Sequence, residues 1–563
     1  MPNSITGAKL VVECLKREGV DVIFAYPGAA SMELHQALRN SDIRVVLPRH
    51  EQGGGFAANG FARATGRVGV CMATSGPGAT NLVTAIADAY MDSISLVAIT
   101  AQVNQKLIGK NAFQETDIIG MTRPVVKHSY LVLNQTDIPE VVKDAFYLAS
   151  HGRPGPVVID IACDVLPKRC RPVFPDGPSL RAFNYQPPLD SHLLDLLYER
   201  LCTSRRPCIY AGGGIIHGNA VRYLKEFAEA WRIPVATTLM GIGAISESNP
   251  LSLKFLGMHG TFCANMAVHN CDLLLCLGAR FSDRVTGNID SFAPNAFIVH
   301  VDIDESEINK NRHADLAIVD DVAAVLKAML CMEPRPFGGD EWLAQIAEWK
   351  KEHPLVCRGG LNGPNVVRQI HRITRGNATI VTGVGQNQMW AAQHFDYKRP
   401  RQLLTSGGLG AMGFGLPAAI GAAIAAGKAP KYPIVLIDGD GSFQMNIQEL
   451  ATVFAENLPV KMVILNNQLL GMVAQWEDNF YKGHRGNTDL TVPRAGRPYP
   501  DFCTIAKGYM IPAREIFKES ELKDALNEML DTPGPFLLDV HIERHETVLP
   551  MIPAGKGCDE IIL

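Results

Sequence analysis

Short runs of β-branched and other apolar residues alternate along most of the chain with amphipathic or alanine-rich segments. A short continuous apolar run is typical of a strand buried on both faces, whereas apolar residues spaced like Ile447, Leu450 and Phe454 are typical of a helix. The strands predicted in this way are 43–47, 68–74, 96–100, 157–161, 208–210, 235–237, 273–277, 297–301, 380–382, 434–437 and 461–465. Because strands and helices alternate, the pattern predicts βαβ units and parallel sheets covered on both faces.

Two stretches rich in proline and glycine interrupt this alternation, at 167–188 and 334–364. Proline cannot continue a helix interior or a central strand, so these stretches are interpreted as linkers. They leave three blocks, at 1–166, 189–333 and 366–563, which we name the N-terminal, middle and C-terminal blocks. The predicted fold class is therefore α/β, with three doubly wound parallel-sheet domains.

Composition and charge narrow the possible partners. Lys plus Arg is 53 and Asp plus Glu is 57, for a net charge of −4, and no basic run suggests nucleic-acid binding. Thirteen cysteines without a CxxC pair indicate reduced thiols. The first residues lack a signal-peptide pattern, and the uncharged stretch 403–427 is interrupted by several glycines and Pro417, which favours a buried turn and helix over a membrane span. We expect a cytoplasmic protein with no nucleic-acid or membrane partner.

Polar residues follow two consecutive predicted strands of the C-terminal block. Strand 434–437 leads into Asp438-Gly439-Asp440-Gly441-Ser442, and strand 461–465 leads into Asn466-Asn467. Parallel strands of one βαβ unit end at the same sheet edge, so Asp440 and Asn467 can face one site. Carboxylate, amide and carbonyl oxygens suit Mg²⁺, and a following helix N-terminus suits a diphosphate. The alternative is an ordinary turn and a polar strand end, but two features at one edge favour the metal–diphosphate site.

An acidic residue follows strand 43–47 in the N-terminal block. Glu51 precedes a glycine- and alanine-rich helix that ends near Gly66, and Gly53 to Gly55 leave space for a ligand. A partly desolvated carboxylate can share a proton with a ring nitrogen. The alternative, a first-turn acid favoured by the helix dipole, is equally consistent with this segment alone. The loop after strand 68–74, with sequence TSGPGATN, is similarly consistent with a helix cap.

Longer motifs make the chain recognisable. Together with RHEQG, TSGPGATNLVTAIADAYMDS and GDGSF…LNNQ, it contains YPGAASMELHQAL at 26–38, AFQETDI at 112–118, LGMHGT at 256–261, RFSDRVTG at 280–287, VGQNQMWAAQ at 384–393, TSGGLGAMGFGLPAAIGA at 405–422, QWED at 475–478 and VLPMIP at 548–553. In this order, over nearly the whole chain, the sequence resembles the catalytic subunits of the thiamine-diphosphate-dependent acetolactate (acetohydroxyacid) synthases.

The resemblance implies three cofactors: thiamine diphosphate, Mg²⁺ and FAD. It implies Mg²⁺ on Asp440, Asn467 and the carbonyl of Leu469, and a catalytic role for Glu51, Gln114 and Arg284. Glu51 would hydrogen-bond the aminopyrimidine ring, and Met412 would support the bent cofactor. The other implied thiamine-diphosphate contacts are Gly385, Gln386, Gly410, Gly441, Ser442, Gly471 and Met472. The implied FAD contacts are Arg153, Thr238, His259, Arg280, Asp302 and Asp321; the run Gly212–Gly214 alone is weak support, because no GxGxxG accompanies it.

The substrates implied are small 2-keto acids. The implied pocket contains Ala29, Phe113, Gln114, Met258, Arg284 and Trp476. A guanidinium such as that of Arg284 pairs bidentately with a carboxylate. The alternative for Arg284 is a surface ion pair, and Trp476 and Phe113 could be core aromatics. Because Glu51 and the metal site lie in different blocks, the resemblance implies a site shared between two subunits, in a homodimer or homotetramer, with a small regulatory subunit as a further possible partner.

Several residues depart from the family pattern. Ala29 replaces a glycine, Cys163 replaces a lysine, and Asn387 and Leu469 replace histidines; Asn104 and Gln105 replace a proline and a basic residue. Three functions therefore stay open: acetolactate synthesis, a non-oxidative 2-keto acid decarboxylase or a carboligase with another acceptor, and an idle nucleotide-binding scaffold. The presence of Glu51, Asp440 and Asn467 argues against the idle scaffold, and the set Met258, Arg284 and Trp476 favours acetolactate synthesis.

Overall fold

The computed structural model describes residues 4–180, 189–335 and 339–563. Three sheets, each of six parallel strands, form its framework, one in each block. Helices lie between successive strands, as parallel pairing requires. The predicted α/β class with three parallel-sheet units is confirmed. Parts of both predicted linkers, 181–188 and 336–338, lie outside the described residues.

The N-terminal and C-terminal sheets share one topology. Numbered along the chain, the strands of each stand in the spatial order 2-1-3-4-6-5. In that spatial order the N-terminal sheet contains Arg44–Val46, Val22–Ala25, Gly69–Ala73, Leu96–Gln102, Pro156–Ala162 and His128–Val132. The C-terminal sheet contains Leu403–Leu404, Thr379–Thr382, Ile434–Gly439, Val460–Asn466, Phe536–His541 and Ala513–Ile516.

The middle sheet has the strand order 3-2-1-4-5-6, which is the order typical of dinucleotide-binding folds. Its strands in spatial order are Ser252–Phe255, Val235–Thr237, Pro207–Ala211, Leu273–Leu277, Phe297–Asp302 and Leu316–Val319. Ligands of open α/β sheets bind beyond the carboxyl ends of the strands, where the strand order reverses. Here that point lies between Pro207–Ala211 and Leu273–Leu277. The glycine run 212–214 therefore lies at a ligand-binding edge.

The helices cover both faces of the sheets. In the N-terminal block they are Gly7–Arg17, Met32–Arg39, Glu51–Thr65, Pro77–Asn81, Val83–Met91, Ile118–Thr122 and Ile138–Ser150. In the middle block they are Ser191–Thr203, Gly214–His217, Val221–Trp231, Phe262–Asn270, Asp283–Thr286 and Val322–Leu330, and helix Asp340–Glu352 follows this block. In the C-terminal block they are Gly363–Thr374, Gln386–His394, Gly415–Ala426, Asp440–Gln444, Leu450–Ala455, Gly471–Phe480, Phe502–Gly508 and Glu519–Asp531.

Helix Glu51–Thr65 packs directly on helix Gly415–Ala426 and joins the N-terminal and C-terminal blocks. Two glycines allow the close approach: a Cβ on Gly60 would lie 2.3 Å from the carbonyl oxygen of Ala418, and one on Gly421 would lie 2.0 Å from that of Ala57. The apolar core is continuous across this contact. The uncharged stretch 403–427 is thus a buried turn and helix, as predicted, and no helix among the described residues is both long and apolar enough to cross a bilayer.

The structure differs from the predicted elements in places. The predicted linker 334–364 contains helix Asp340–Glu352, since only its flanks are rich in proline and glycine. The linker 167–188 contains the strand Arg169–Cys170, which pairs antiparallel with Ile5–Thr6. The motif Ile447, Leu450, Phe454 spans a 3₁₀ turn and a short α-helix rather than one helix. Strands missed by the sequence pattern are Val22–Ala25, His128–Val132, Ser252–Phe255, Leu316–Val319, Leu403–Leu404, Ala513–Ile516 and Phe536–His541.

Candidate active site

Asp440 and Asn467 lie beyond two adjacent strands of the C-terminal sheet. Ile434–Gly439 and Val460–Asn466 pair in parallel, with Gly439 opposite Leu465, so the residues that follow them reach the same edge. Asp440 begins helix Asp440–Gln444, and the Oδ1 atom of Asn467 accepts the N–H of Leu469 at 3.2 Å. The βαβ geometry thus brings the three predicted metal ligands to one edge of the sheet.

The Asp440 carboxylate is buried without a full set of partners. It is 1% exposed, and its Oδ2 atom has no hydrogen-bond partner among the described residues. Burial raises the pKa of Asp440 to about 7, although backbone hydrogen bonds oppose the rise. A bound cation would relieve this cost, because an unpaired buried charge is unfavourable. No group of three or more His, Cys, Asp or Glu in the described ranges could hold a metal, so the remaining ligands would be amide and carbonyl oxygens, which suit Mg²⁺.

Glycines leave room beside these ligands. A Cβ on Gly471 would lie 2.1 Å from Oε1 of Gln386 and 2.8 Å from Nδ2 of Asn467, so a larger residue there would displace these side chains. The Nδ2 of Asn467 donates to that same Gln386 oxygen at 3.3 Å. Met472, the second residue of helix Gly471–Phe480, follows directly. The structure therefore brings together the predicted Gln386, Gly471 and Asn467.

Met412 lies near the same edge. Its Cε is 3.6 Å from the position that a Cβ on Gly441 would take. The Oγ of Ser442 accepts the N–H of Gly413 at 3.1 Å, which ties the metal-binding turn to the segment that carries Met412. Gly385 and Gly410 have φ angles of 141° and 68°, both in a region that favours glycine. The predicted residues on the C-terminal side of the site thus form one connected group.

Glu51 is the first residue of helix Glu51–Thr65. Its Oε2 accepts the side-chain N–H of Asn81 at 3.0 Å, and no hydrogen bond among the described residues involves Oε1. The backbone before Asn81 packs against the Glu51 carboxylate: a Cβ on Gly78 would lie 3.4 Å from Oε1 of Glu51. Asn81 therefore orients the carboxylate, and the TSGPGATN loop does more than cap a helix.

Gln114 packs against the same loop, from the segment between strand Leu96–Gln102 and helix Ile118–Thr122. It has a φ of 58°, and a Cβ on Gly76 would lie 2.7 Å from its carbonyl oxygen. Its neighbour Phe113 is 87% exposed, so Phe113 is not a core aromatic. Ala29 begins a 3₁₀ turn that follows Gly28. A Cβ on Gly28 would lie 2.4 Å from the Cβ of Thr74. Ala29 follows strand Val22–Ala25, one of the two strands that flank the switch point of the N-terminal sheet, whereas Gln114 follows the next strand outward, Leu96–Gln102.

A cavity of about 1100 Å³ lies between the blocks, along the carboxyl edges of the middle and C-terminal sheets. The predicted residues that line it are Gly385, Gly410, Met472, Arg153, Thr238, His259, Arg280, Asp302, Asp321, Met258, Arg284 and Trp476. Its size accommodates an extended ligand that contacts both the middle sheet and the edge of the C-terminal sheet where Gly385 and Met472 lie.

Most of the predicted FAD contacts make hydrogen bonds to other residues of this chain. Arg153 donates to Asp304 at 3.0 Å and to Glu307 at 2.6 Å. Burial lowers the pKa of His259 to about 4, so its imidazole is neutral near pH 7. Burial raises the pKa of Asp302 to about 6. The side chains of Thr238 and Asp321 each accept a backbone N–H at the start of a helical turn. Arg280 contributes its backbone carbonyl to Asn311.

Arg284 and Trp476 meet at the mouth of the cavity. The guanidinium carbon lies 5.8 Å from the indole ring centre, and the N–H of Met258 donates to the Arg284 carbonyl at 2.9 Å. Arg284 also lies 3.8 Å from Asp283, so the alternative surface ion pair exists, but the side chain stays 62% exposed. The three predicted pocket residues of this region therefore lie together with the cationic group accessible.

The lining of this cavity does not include the predicted residues of the N-terminal block that surround Glu51. Among the described residues, those lining it from that block are Met91, Asp92, Ser93 and 150–154. Glu51, Ala29, Phe113 and Gln114 are therefore placed together but apart from this cavity. Sequence reasoning also missed lining residues, namely Asp92, Gln388, Gly407 and Gly408, although the motifs DAYMDS and TSGGLGAMG contained a signal for three of them.

Family models match the chain in three consecutive segments. The model described as thiamine pyrophosphate enzyme, N-terminal TPP binding domain, matches residues 5–121; the central-domain model matches 194–329; and the C-terminal TPP binding domain model matches 383–540. Each match contains most strands of one of the three sheets. The thiamine-diphosphate resemblance is confirmed.

Curated relatives match over almost the whole chain. The chloroplastic acetolactate synthase 1 of Zea mays is 51% identical over 99% of this chain and 88% of its own length, and that of Oryza sativa subsp. japonica is 52% identical with the same coverage. The chloroplastic acetolactate synthase of Arabidopsis thaliana is 50% identical over 99% of this chain and 84% of its own length. On these matches, and on the three parallel-sheet units that bear them, the chain belongs to the acetolactate synthase family of thiamine pyrophosphate enzymes.

Proposed function

We propose that the chain is an acetolactate synthase, which decarboxylates pyruvate and transfers the remaining two-carbon unit to a second 2-keto acid, giving acetolactate or acetohydroxybutyrate and CO₂. The observation that carries this proposal is the buried Asp440 carboxylate with an unpartnered oxygen, beside Asn467 and the space at Gly471. Such a site fits a divalent cation and the diphosphate that the cation holds.

Asp440, Asn467 and the carbonyl of Leu469 would hold Mg²⁺, and Gln386, Gly441, Ser442 and Gly471 would border the diphosphate. Thiamine diphosphate, when bound, supplies an electron sink for the pair of electrons that decarboxylation releases. Glu51 would hold a proton at Oε1, since Asn81 engages the other oxygen. Gly410 and Met412 would support the bound cofactor from the C-terminal side.

Arg284 would bind the carboxylate of the second keto acid. Its guanidinium is accessible at the cavity mouth and is oriented by Trp476 and by the backbone at Met258. Charge-assisted bidentate pairing would orient the acceptor for ligation. Phe113, Gln114 and Ala29 would close the pocket from the N-terminal side. The part of the cavity along the middle sheet, with Arg153, Thr238, His259, Arg280, Asp302 and Asp321, would hold FAD.

The active site would be shared between two copies of the chain. This part of the proposal is supported by the separation of the Glu51 group from the cavity and by the exposure of Phe113, which a second copy would cover. The chain would thus form at least a homodimer, with a homotetramer or a small regulatory subunit as further assemblies. We also propose a cytoplasmic location, supported by thirteen cysteines that include no CxxC pair.

The function is tested by incubating the purified protein with thiamine diphosphate, Mg²⁺, FAD and pyruvate and separating acetolactate from acetaldehyde. Acetolactate is the expected product. Acetaldehyde without acetolactate would instead support a decarboxylase, the alternative that the changes at Ala29, Cys163 and Asn387 motivate. The Glu51→Gln variant should lose turnover by about 100-fold or more, because it can no longer exchange a proton.

The shared site is tested by mixing two inactive variants. In a dimer that pairs a Glu51→Gln chain with an Asp440→Ala chain, one site receives both defects and the other receives neither, if each site takes Glu51 and Asp440 from different chains. Random pairing should then restore about a quarter of the wild-type activity. No recovery from mixed dimers, verified by two different affinity tags, would show that each site belongs to one chain.

A further inference from the structure

Arg63 lies in helix Glu51–Thr65, is 4% exposed, and uses every nitrogen of its guanidinium. Its Nε donates to Oδ1 of Asn59 at 2.7 Å, and its Nη1 donates to the carbonyl oxygen of Thr405 at 2.8 Å. Its Nη2 donates to Asp88 at 3.0 Å and to Asp92 at 2.8 Å. One buried cation of the N-terminal block therefore holds two buried carboxylates and the backbone of the C-terminal block at once.

The two carboxylates bind the same C-terminal segment. Asp92 accepts the backbone N–H of Gly407 at 3.0 Å and that of Gly408 at 2.7 Å. Asp88 accepts the hydroxyl of Ser406, whose oxygen in turn accepts the N–H of Ala411 at 2.8 Å. We name Arg63, Asp88 and Asp92 the Arg63 cluster, and residues 405–411 the glycine loop.

The glycine loop fits closely against the cluster. A Cβ on Gly408 would lie 2.8 Å from Oδ1 of Asp92, and a Cβ on Gly407 would lie 2.4 Å from the sulfur of Met240. The guanidinium of Arg63 also lies 5.1 Å from the ring of Phe414, just beyond the loop. Groups of the N-terminal block therefore hold the loop at Thr405, Ser406, Gly407 and Gly408, and Met240 of the middle block packs against it at Gly407.

A buried ion cluster is weak evidence for stability, because desolvation offsets the attraction between its charges. Apolar residues could join two blocks at similar or lower cost, as the contact at Gly60 and Gly421 does nearby, between helices Glu51–Thr65 and Gly415–Ala426. The cluster differs from apolar packing in one respect: its directional hydrogen bonds select one backbone conformation. That conformation belongs to a loop that lines the cavity with Ser406, Gly407, Gly408 and Gly410 and leads into Met412.

We propose that Arg63, Asp88 and Asp92 are positioning residues, which fix the glycine loop in the conformation that receives thiamine diphosphate. The proposal rests on the proposed function, since it takes Gly410 and Met412 as cofactor contacts. The cluster acts within one chain, so the N-terminal block would contribute to the cofactor site of its own chain through the loop, and would contribute Glu51 to the site of the other copy.

The test compares Arg63→Lys and Asp92→Asn with Asp272→Asn. Asp272 is a matched control: its carboxylate also accepts two consecutive backbone N–H groups, those of Arg205 at 2.8 Å and Arg206 at 2.9 Å. It precedes strand Leu273–Leu277, at the amino edge of the middle sheet, away from the cavity. The lysine variant keeps the charge of Arg63 but loses its planar fork.

Two measurements on the protein without cofactor are decisive. Amide hydrogen exchange reports the peptide that contains Gly407 and Gly408, and tryptophan fluorescence titration with Mg²⁺ and thiamine diphosphate reports Kd. Arg63→Lys and Asp92→Asn should speed exchange in that peptide and raise Kd by about tenfold or more. Asp272→Asn should lower Tm comparably while leaving Kd within about twofold.

The proposal fails if Arg63→Lys and Asp92→Asn bind thiamine diphosphate as tightly as the wild type. If those variants do not fold, Ser406→Ala answers the question, because it keeps all three charges and removes the hydroxyl that donates to Asp88 and accepts the N–H of Ala411. Unchanged exchange and Kd in Ser406→Ala would then overturn the proposal. Because both readouts precede catalysis, they separate this result from a failure of the acetolactate assay.

Discussion

Glu449 of the C-terminal block accepts the backbone N–H of His50, the residue before Glu51, at 3.0 Å. The same Oε1 atom accepts the N–H of Arg49 at 2.9 Å, and Oε2 accepts the Thr452 hydroxyl at 2.7 Å. A Cβ on Gly53 would lie 2.4 Å from that Oε1 atom, so the first turn of the helix fits closely around the carboxylate. One buried acid thus fixes where the helix that carries Glu51 begins.

Replacing Glu449 by leucine should therefore lower both stability and turnover. Two buried N–H groups would lose their acceptor, at a cost of about 2 kcal/mol in the free energy of unfolding. Glu449→Gln is the matched control, since its amide oxygen can accept the same two N–H groups and should cost about 1 kcal/mol or less. Urea unfolding and steady-state acetolactate formation check both; equal losses in the two variants would contradict the positioning of Glu51 by these bonds.

Asp440→Asn should weaken binding of Mg²⁺ and thiamine diphosphate without lowering the stability of the cofactor-free protein. The variant removes an unpartnered buried charge, so the cofactor-free protein should unfold at the same or a higher temperature than the wild type. It should also lose the stabilisation by Mg²⁺ and thiamine diphosphate, which is about 2.7 kcal/mol for the wild type at a ligand concentration of about 100 Kd. Thermal unfolding with and without ligands, and with EDTA as the metal-free control, measures both. A variant that keeps the ligand-induced shift would rule out Asp440 as a metal ligand.

Arg284→Ala should reduce acetolactate formation more than CO₂ release. Losing a charge-assisted pair with the acceptor costs about 1.5–3 kcal/mol, so acetolactate formed per CO₂ should fall by about tenfold or more. Asp283→Asn is the control, because it removes the neighbouring acid, 3.8 Å from Arg284, and leaves the guanidinium in place. Measuring both products in one reaction gives the ratio directly. Equal losses of both products would show that Arg284 does not bind the acceptor.

Asp160 should make stability depend on pH. It is 1% exposed, accepts hydrogen bonds from Thr100 at 2.7 Å and Gln102 at 3.0 Å, and burial raises its pKa to about 7. The unfolded chain, with an ordinary carboxyl pKa, binds fewer protons than the folded chain below pH ~7. This group therefore makes stability fall as pH rises from ~4 to ~7.

Asp160→Asn should remove that contribution. Relative to the wild type, the variant should gain about 2–3 kcal/mol in the free energy of unfolding between pH ~5 and pH ~8. Its amide can still accept from Gln102 and donate to the hydroxyl oxygen of Thr100. Urea unfolding at the two pH values measures the gain, and parallel pH profiles for the two proteins would contradict the assignment.

The sequence pattern located most of the central strands because continuous apolar runs such as 273–277 coincide with strand Leu273–Leu277. It missed edge strands such as His128–Val132 and Ala513–Ile516, since these are partly exposed and polar residues interrupt their apolar positions. It also missed Phe536–His541, where Asp539 interrupts the apolar run; that carboxyl is buried and accepts from Asn466 on the neighbouring strand.

The residues of the candidate site, like the strands, were only partly predictable from the sequence. The amino-acid sequence by itself determined which short segments end strands and offer carboxylates, amides and glycines, because those features depend on neighbours a few residues away. Only the tertiary structure decided that Arg63 meets Thr405, that Asp92 meets Gly408, and that Glu449 meets His50. These partners lie hundreds of residues apart along the chain, and no local spacing encodes which surfaces of separately patterned blocks come into contact. Their pairing depends on how the helices of the N-terminal block pack against the C-terminal block.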